Sequence, residues 1–481
     1  MRYAWRALLV VGLACVVIAL NVSTLNVALP KVVRHFNAGP VAASWVLLGY
    51  MLANTVLLVV FGRLADMFGR RRMYLAGMSV FTAASLAAGL APNVWLLIAL
   101  RVVQAAGGAM ILVNGAAIVT DAFPSRLLNR GLGVYMASFS VAQLLGPSVG
   151  GFVVAAAGWQ WVFWFNVPVG VLCVICGTVT LRKVPRGPTR EHLDVPGNLL
   201  LLLGLCGLLL ALSEAQTGGW DHPMFGAALA IFAASLPVFM FVQRRVRNPL
   251  LDLELFRDRA FCLSIAASFV NTMSRFSVVL LIALFFQAAN GDGPFEAGLR
   301  VMPLPISTMI ASASVGLLDR FAGPRGLAVV GSATGTAGML LLFLTLSADA
   351  PYAVFGVAMT LIGLGGGIFL PSNTTAIMLR SPENRLGLVN AMRLMLQNVG
   401  LMVGTAVSLV LITGPLPPTI GRRFFAGTVS EISPAAVQTL VVGYRYALLL
   451  LVVTSLLGTV ATIASRSSSR RTAAPEAVPT S

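Results

Sequence analysis

The segment GRLADMFGRRR, Gly62 to Arg72, is the most informative part of this sequence. It joins two apolar runs, Ala42–Phe61 and Met73–Leu90, and it carries one Asp and four Arg. Runs of this length match the thickness of a bilayer, so they predict two membrane-spanning helices joined by a short loop. Because positively charged loops stay on the cytoplasmic side, the arginines place this loop in the cytoplasm. Gly62 and Gly69 permit close helix packing and a sharp turn.

The composition of the whole chain is that of an integral membrane protein. Hydrophobic residues make up 58% of the 481 residues, charged residues only 10%, and the mean hydropathy is +0.89. Soluble domains hold about 25% charged residues, so a separate soluble catalytic domain is excluded. Apolar runs recur to the end of the chain and predict about fourteen spans. The predicted spans are 7–29, 42–62, 73–91, 94–119, 131–156, 162–181, 197–213, 223–243, 261–288, 299–318, 326–346, 351–376, 386–413 and 441–465.

The net charge of +17 indicates membrane topology rather than nucleic-acid binding. With the amino terminus inside, the predicted cytoplasmic loops and termini hold 24 of the 33 Lys and Arg, and the outer segments hold six. The remaining three, Arg101, Arg275 and Arg393, lie within spans. This bias follows the positive-inside rule and predicts that both termini are cytoplasmic. No nucleic-acid partner is expected.

The two halves of the chain resemble each other at a fixed distance. Asp66 has a counterpart in Asp319, which lies in GLLDRFAGPRG, a diverged copy of the first loop. Four positions of span 5 also recur 254 residues later in span 13. These are Gly133, Gln143, Gly146 and Gly150, which recur as Gly387, Gln397, Gly400 and Gly404. A long fixed offset indicates duplicated helical bundles.

The predicted organisation follows from this repeat. Six-helix bundles are expected at 1–181 and 261–465. Residues 182–260 are expected to form basic linkers and two inserted transmembrane helices. The end of the chain, 466–481, is rich in Ser, Ala and Pro and is predicted to be a disordered cytoplasmic tail.

Spans 4 and 5 carry motifs beyond hydrophobicity. Arg101 lies in LIALRVVQAAGGAM, and an Arg inside a span is costly enough to indicate function. The alternative is that Arg101 lies close enough to an interface to reach water. In span 5, AQLLGPSVGG places Gly146 and Gly150 on one face, while Pro147 removes a helix hydrogen bond. These residues predict a closely packed helix that bends.

The combination of motifs resembles the major facilitator superfamily. GRLADMFGRRR resembles the loop between helices 2 and 3 of that superfamily, and AQLLGPSVGG resembles the signature of its exporters. GWQWVFWFNVPVG (Gly158–Gly170) and NVSTLNVALP (Asn21–Pro30) resemble its fourteen-helix drug:proton antiporter branch. The resemblance covers essentially the whole chain. It implies an all-α bundle of two six-helix halves around a central cavity, with two added helices.

The resemblance also implies a mechanism of alternating access, in which the two halves rock about a site near the membrane midplane. Asp66 and the arginines that follow it would form a lock between the halves on the cytoplasmic side. The residues expected to serve proton coupling or conformational change are Arg101, Asp292, Glu296, Gly62, Asp66, Gly69, Arg70, Arg71, Gly146, Pro147, Gly150 and Gly151.

One position departs from the family pattern, because Asn21 stands where the family commonly has Asp. An Asn side chain exchanges no proton at physiological pH, and none of the sixteen acidic residues lies in the centre of a span. Proton exchange for cationic drugs usually needs a buried carboxylate. Two explanations stay open. Coupling runs through acids at span ends, with Asp292 and Glu296 best placed, or the protein is weakly coupled and moves neutral, lipidic or anionic substrates.

An anionic substrate would meet the arginines of the second half, Arg275 and Arg393. Each has a structural alternative, since a buried Arg also braces helices or pairs with backbone carbonyls. Polar residues in apolar spans usually face the bundle interior, although many only link helices, at about 0.6 kcal/mol each. The residues expected to line the substrate cavity are Asn21, Asn26, Tyr50, Asn54, Gln143, Asn271, Arg275, Gln287, Asn390 and Gln397.

The predicted function is export of amphipathic drugs or hydrophobic metabolites across a bacterial plasma membrane, driven by the proton gradient. The alternatives are a lipid or anionic-metabolite transporter of the same fold and a membrane receptor that moves nothing. An enzyme is not expected, because the chain has no HExxH motif and no P-loop. No catalytic residue, metal site or cofactor is predicted. The expected partners are small amphipathic substrates, protons and the lipid bilayer, with the protein as a monomer.

Overall fold

The structure is a computed structural model that describes residues 2–182, 194–217, 223–246, 255–347, 351–380, 386–426, 428–429 and 434–472. These ranges are helical and contain no β-strand. The α-helices are α1 (Arg2–Phe36), α2 (Pro40–Phe68), α3 (Arg70–Gly89), α4 (Val94–Ala122), α5 (Ser125–Ala157), α6 (Trp161–Trp164), α7 (Asn166–Thr180), α8 (Val195–Thr217), α9 (Pro223–Gln243), α10 (Arg259–Ala289), α11 (Pro294–Arg300), α12 (Pro303–Thr345), α13 (Tyr352–Met378), α14 (Leu386–Thr413), α15 (Pro418–Ala426) and α16 (Pro434–Thr472).

The helices agree with the predicted membrane spans. Among the described residues, twelve helical segments are long and apolar enough to cross a membrane. The other two predicted spans, 73–91 and 131–156, correspond to α3 and α5. α3 is rich in Ala, Gly and Ser and begins with three Arg, which lowers its hydropathy. The predicted all-α bundle is therefore confirmed. α16 continues to Thr472, so the helical part of the chain ends later than the predicted tail boundary at 466.

Two glycines with positive φ turn the chain at equivalent places in the two halves. Gly69 separates α2 from α3 with φ of 94°, and Gly323 breaks α12 into two arms with φ of 63°. They lie 254 residues apart, the same offset as the repeat in spans 5 and 13. A side chain at either position would be strained, because residues with a Cβ rarely adopt this conformation. Both diverged loops thus keep the residue that their turn requires.

The largest hydrophobic cluster joins the two halves at one end of the bundle. We call the end of the bundle that holds Arg2 proximal and the opposite end distal. The largest cluster of buried apolar residues combines Leu29 and Leu47 of the first half with Leu284, Phe355 and Leu440 of the second, all from distal segments. At the proximal end the clusters are separate. One belongs to the first half, and two smaller ones belong to the second.

The inserted helices α8 and α9 lie at the edge of the bundle. Leu205 and Leu209 of α8 pack with Leu52 of α2 and Met402 of α14, in a cluster that links both halves. Trp45 of α2 also donates a hydrogen bond from Nε1 to the Ser213 hydroxyl of α8, at 2.8 Å. α8 is therefore attached to the bundle beside the seam between the halves.

Candidate functional site

A buried arginine organises the polar core of the first half. Arg101 of α4 is 2% exposed. Its Nη1 donates to Asn21 Oδ1 of α1 at 2.8 Å and to Gln104 Oε1, one helical turn away, at 2.5 Å. Gln104 Nε2 in turn donates to the hydroxyl of Ser85 on α3 at 2.7 Å. The network therefore ties α1, α3 and α4 together around one positive charge.

Among the described residues, the contacts recorded for Arg101 are with neutral oxygens and aromatic rings. The guanidinium carbon lies 4.1 Å from the ring centre of Tyr50 on α2 and 6.0 Å from that of Phe163 on α6. All acceptors recorded for its hydrogen bonds among the described residues are neutral oxygens. Cation–π contacts partly replace the solvation that a buried charge loses. The site therefore keeps a net positive charge in this conformation.

Three further predicted cavity residues lie in the same half. Within the described residues, the Tyr50 hydroxyl and Asn26 Oδ1 are buried without a hydrogen-bond partner, as is Asn21 Nδ2. Asn54 Nδ2 donates a long bond of 3.4 Å to the carbonyl of Ala105. Tyr50 and Asn54 both face Gly108 of α4, where an added Cβ would lie 2.9 Å from the Tyr50 hydroxyl. Partly satisfied polar groups of this kind are available to a ligand.

The second half also has a buried arginine, with a different set of partners. Arg275 of α10 donates from Nη2 to the carbonyls of Gly331 (3.1 Å) and Ser332 (3.2 Å) on α12, and from Nη1 to that of Ile362 on α13 (3.4 Å). A Cβ at Gly335 would lie 2.1 Å from Nη2. The side chain thus fills a groove between glycine-bearing faces of α12 and α13. This placement favours the helix-bracing alternative over contact with a substrate.

A ladder of hydroxyl groups beside Arg275 was not predicted. Asn271 of α10 donates to Ser332 Oγ at 2.9 Å, and Ser332 pairs with Thr459 of α16 at 2.8 Å. Thr336 then contacts Thr459 at 3.0 Å and Ser455 at 2.7 Å. Ser and Thr are too common in transmembrane helices to mark such a ladder by sequence. The only feature of the sequence that could have indicated the ladder is the spacing of one helical turn between residues 332 and 336 and between 455 and 459.

Of the remaining predicted cavity residues, Gln397 binds within the second half and Gln287 binds across the two halves. Gln397 of α14 accepts from Arg393 Nη1 at 2.9 Å and donates to Ser268 Oγ of α10 at 2.8 Å, so Arg393 also acts within the second half. Gln287 of α10 donates to the carbonyl of Val27 on α1 at 3.4 Å, and this bond joins the halves. The side chains outside the described part of the chain are those of Asp66, Gln143 and Asn390.

The glycines of α5 pack against different partners on different faces of the helix. On one face, a Cβ at Gly146 would lie 2.3 Å from Ser23 Cβ, and one at Gly150 would lie 2.6 Å from Thr24 Cα, both within the first half. On the next face, a Cβ at Gly151 would lie 2.5 Å from Phe295 Cα of α11, in the second half. Successive helix positions point about 100° apart, so two neighbouring glycines serve different partners.

The contact of α5 with α11 closes the distal end between the halves. Besides Gly151, a Cβ at Gly298 of α11 would lie 2.5 Å from the carbonyl oxygen of Pro147. The rings of Phe152 and Phe295 meet edge to face at 6.5 Å. Pro147 leaves that region of α5 without one backbone donor, and α11 packs there. Part of the predicted exporter motif, Pro147 and Gly151, therefore forms the contact between the two halves.

Asp292 lies at the same seam, in the turn between α10 and α11. Its carboxylate pairs with Arg300 Nε at 2.9 Å, and the Arg300 guanidinium lies 4.9 Å from the ring centre of Phe286. Burial raises the pKa of Asp292 above the ordinary value of 3.8; Arg300 opposes this shift and Glu296 adds to it. Glu296 is more exposed and accepts a hydrogen bond from the Gly293 N–H at the start of α11, at 3.3 Å.

The predicted lock residues bind within the first half in this conformation. Arg70 pairs with Asp121 at the end of α4 at 3.0 Å, and Arg71 Nη2 donates to the Thr178 carbonyl of α7 at 2.7 Å. Gly62 approaches α4, since a Cβ there would lie 3.2 Å from Val113 Cγ1. A lock between the halves through these residues stays a prediction.

Comparison with known proteins places this architecture in a family. The sequence profile of the Major Facilitator Superfamily matches residues 11–405. The chain belongs to the Major Facilitator Superfamily. This membership makes it a multi-pass membrane transporter, and it agrees with the fold and motifs described above.

Relatives in the Major Facilitator Superfamily include named resistance proteins. The multidrug resistance protein Stp of Mycobacterium tuberculosis H37Rv is 31% identical over 401 residues, which cover 83% of this chain and 74% of Stp. The methylenomycin A resistance protein of Streptomyces coelicolor is 32% identical over 398 residues, which cover 81% of this chain and 82% of that protein.

A solved structure of a transporter shares the fold. A bacterial homologue of the human lysosomal transporter Spinster, in an inward-facing and occupied conformation, superposes with a TM-score of 0.70. The two chains are 17% identical, and the superposition covers 99% of this chain and 100% of the other. At this identity the likeness concerns the fold alone.

Proposed function

We propose that the protein exports amphipathic drugs or hydrophobic metabolites by alternating access, coupled to proton entry. The observation that carries this proposal is the relation to Stp and the methylenomycin A resistance protein, both above 30% identity over more than 80% of this chain. The protein would act as a monomer in a bacterial cell membrane, with both termini in the cytoplasm. The two six-helix units 1–181 and 261–465 would be its moving halves.

The distribution of contacts between the halves supports alternating access. The halves share one hydrophobic core at the distal end, whereas their proximal clusters are separate. Arg34 of α1 adds a distal hydrogen bond to the carbonyl of Ala426 on α15. With the termini in the cytoplasm, this conformation opens towards the cytoplasm. An exporter takes up its substrate from that side, so this is its loading state.

Asp292 is the carboxylate best suited to couple protons to this cycle. It is partly buried, its pKa is raised, and it lies on the turn that leads into α11, the helix that closes the distal end. A carrier works best when its pKa lies near the pH at which it acts, and a raised pKa moves Asp292 in that direction. Protonation would release Arg300 and loosen α11 from its seat. Deprotonation would restore the pair and the closed seam.

Asp292→Asn is expected to abolish substrate-driven proton movement. The amide keeps the size of the side chain but exchanges no proton, so the cationic drug would move only down its own gradient. The measurement is proton flux in proteoliposomes with a pH-sensitive dye inside, upon addition of a cationic drug. The wild type should show proton-linked activity at higher pH than an ordinary Asp allows, since burial raises the pKa of Asp292.

Two further variants serve as comparisons in this experiment. Asp319→Asn removes an exposed carboxylate at the proximal side of α12 and should leave the proton signal intact. Glu296→Gln keeps an oxygen for the Gly293 N–H, so loss of the signal there would assign coupling to the Asp292–Glu296 pair. Normal drug-driven proton flux in both Asp292→Asn and Glu296→Gln would remove this site from the mechanism.

The Asn21–Arg101 contact favours a second candidate, a transporter of anionic or lipidic substrates with weak proton coupling. Arg101 is a buried cation whose recorded partners among the described residues are neutral. A cationic substrate bound beside it would be repelled, whereas an anionic group would be attracted. The two candidates differ in the charge of the substrate, which substitution at Asn21 tests directly.

Asn21→Asp is expected to shift substrate preference towards cations by about tenfold or more, since 1.4 kcal/mol of charge pairing equals one decade. The carboxylate would replace the amide 2.8 Å from Arg101 Nη1 and neutralise it. The measurement compares uptake of a cationic dye and an anionic amphiphile into inverted vesicles. Asn21→Ser, which stays neutral, is the matched control. Robust anion transport that Asn21→Asp abolishes would select the second candidate; no anion transport in any variant would dismiss it.

A further inference from the structure

A cavity of about 160 Å³ opens at the proximal end of the first half. It lies between the start of α1, the start of α3, and the ends of α4 and α7. Four of its lining residues are arginines and one is acidic. The charged residues are Arg70, Arg71, Arg72, Arg182 and Asp121.

Among the residues that the structure describes, the lining of this cavity offers one carboxylate to four arginines. Asp121 pairs with Arg70. Arg71 Nη2 donates to the Thr178 carbonyl, and its Nε is buried with no hydrogen-bond partner among the described residues. The Arg182 guanidinium lies 4.5 Å from the centre of the Tyr3 ring. The lining thus carries a net charge near +3 and includes an unused, desolvated donor.

The start of α3 adds backbone donors to the same cavity. α3 runs for 20 residues, and its N-cap is Gly69, which has no side chain to cap the helix. The first N–H groups of a helix have no partner within it, and the helix dipole adds positive potential there. Arg71 and Arg72, both in this first turn, also line the cavity. Guanidinium groups combined with helix N–H groups form a chemistry that selects phosphate.

The position of the cavity favours a lipid as the source of the phosphate. Leu9 of α1 and Ile175 and Val179 of α7 are exposed apolar residues one to two helical turns from the cavity, on the side of the membrane core. Phe68, which lines the cavity, is exposed as well. Phosphate held by the arginines would leave acyl chains to lie along this apolar surface. A freely diffusing phosphate would gain nothing from it.

We infer that this cavity binds the phosphate of an anionic phospholipid from the proximal leaflet. The bound headgroup would neutralise the arginines of the first loop and join α1, α3, α4 and α7 at their proximal ends. Anionic lipid would therefore stabilise the first half of the transporter independently of the substrate that is moved.

Lipid retention in purified protein tests this site. The wild type in detergent, titrated with phosphatidylglycerol and examined by native mass spectrometry, should retain at least one lipid, with phosphatidylcholine retained far less. Arg71→Gln with Arg182→Gln should reduce the affinity for phosphatidylglycerol about 30-fold, from the typical contribution of two arginines near anionic lipid. The matched control, Arg244→Gln with Arg245→Gln, removes two exposed arginines from the proximal end of α9 and should bind like the wild type.

Other results of the titration would overturn the inference. Equal loss in the two double variants would show a general charge effect, and no loss in either would show that the cavity binds no lipid. Protection of wild type by inorganic phosphate to the same extent as by phosphatidylglycerol, measured as a shift in thermal unfolding, would identify a soluble anion instead. If Arg71→Gln with Arg182→Gln fails to fold, Arg72→Gln and the wild-type lipid preference carry the test; an equal affinity for both lipids would refute it.

Discussion

Gly151→Ala is expected to lower transport about 5- to 150-fold while the first half of the protein stays folded. The added methyl group would lie 2.5 Å from Phe295 Cα and 2.6 Å from the Pro294 carbonyl oxygen, both backbone atoms that cannot move aside locally. Overpacking of this kind costs about 1–3 kcal/mol, which shifts an equilibrium by about 5- to 150-fold. Because the clash lies between the halves, that shift disfavours the distally closed conformation.

Transport assays and hydrogen exchange measure the effect of Gly151→Ala together. Drug export by the variant should fall by that same factor of about 5 to 150. Amide exchange should rise in α11 and in the distal end of α5 and stay unchanged in the proximal helices. Gly356→Ala is the control, since nothing lies within 4 Å of a Cβ at that helical position. Normal export together with unchanged amide exchange in α11 would contradict the prediction, because it would show that the contact between α5 and α11 tolerates the added methyl group.

The neighbouring glycine gives a contrasting result on the same helix. A Cβ at Gly150 would lie 2.6 Å from Thr24 Cα and 2.8 Å from its carbonyl, inside the first half. Gly150→Ala should therefore lower the thermal stability of the first half rather than open the distal seam. Comparison of Gly150→Ala with Gly151→Ala therefore distinguishes an effect on folding from an effect on the conformational cycle.

Arg101→Leu is the second substitution expected to have a large effect, because it dismantles a buried network. Asn21 Oδ1 and Gln104 Oε1 would both lose their donor. Each buried unsatisfied group costs about 1–3 kcal/mol. The loss of the contact with the Tyr50 ring adds to this. Export should fall to background, and the unfolding temperature should drop clearly.

The comparison variants for Arg101 distinguish charge from geometry. Arg244→Leu makes the same replacement at an exposed arginine and should leave both export and unfolding unchanged. Arg101→Lys retains the charge but replaces the planar guanidinium, so it should recover part of the stability and little transport. Wild-type export and wild-type unfolding in Arg101→Leu would mean that the network is dispensable.

Much of the architecture could be predicted from local properties of the sequence. Span length and loop charge depend on residues that are close together in the chain. The 254-residue repeat is found by aligning one half of the sequence with the other. The predicted helical bundle was therefore confirmed. Arg101 was recognised for the same reason, because a charge inside an apolar run is visible without a structure.

The roles of individual site residues could not be predicted in this way. Arg275 and Arg101 look alike in sequence, each a single Arg in an apolar span. Arg101 donates to polar side chains of α1 and of its own helix, whereas the hydrogen bonds recorded for Arg275 among the described residues all go to backbone carbonyls of α12 and α13. Which acceptor an arginine finds depends on the rotation of each helix about its axis and on its neighbours, and packing sets both.

The sequence by itself determined that the chain is a membrane protein, where its spans lie, how its halves repeat and which superfamily it resembles. Hydrophobicity and charge act along the chain, so these properties are written in consecutive residues. Only the tertiary structure decided that Asp292 pairs with Arg300, that Gly151 rather than Gly150 faces the second half, and that four arginines converge on one cavity. The contacts of Gly151 and of the arginine cavity join residues far apart in the chain, which helix packing brings within reach of one another. The Asp292–Arg300 pair spans eight residues and depends on the turn between α10 and α11.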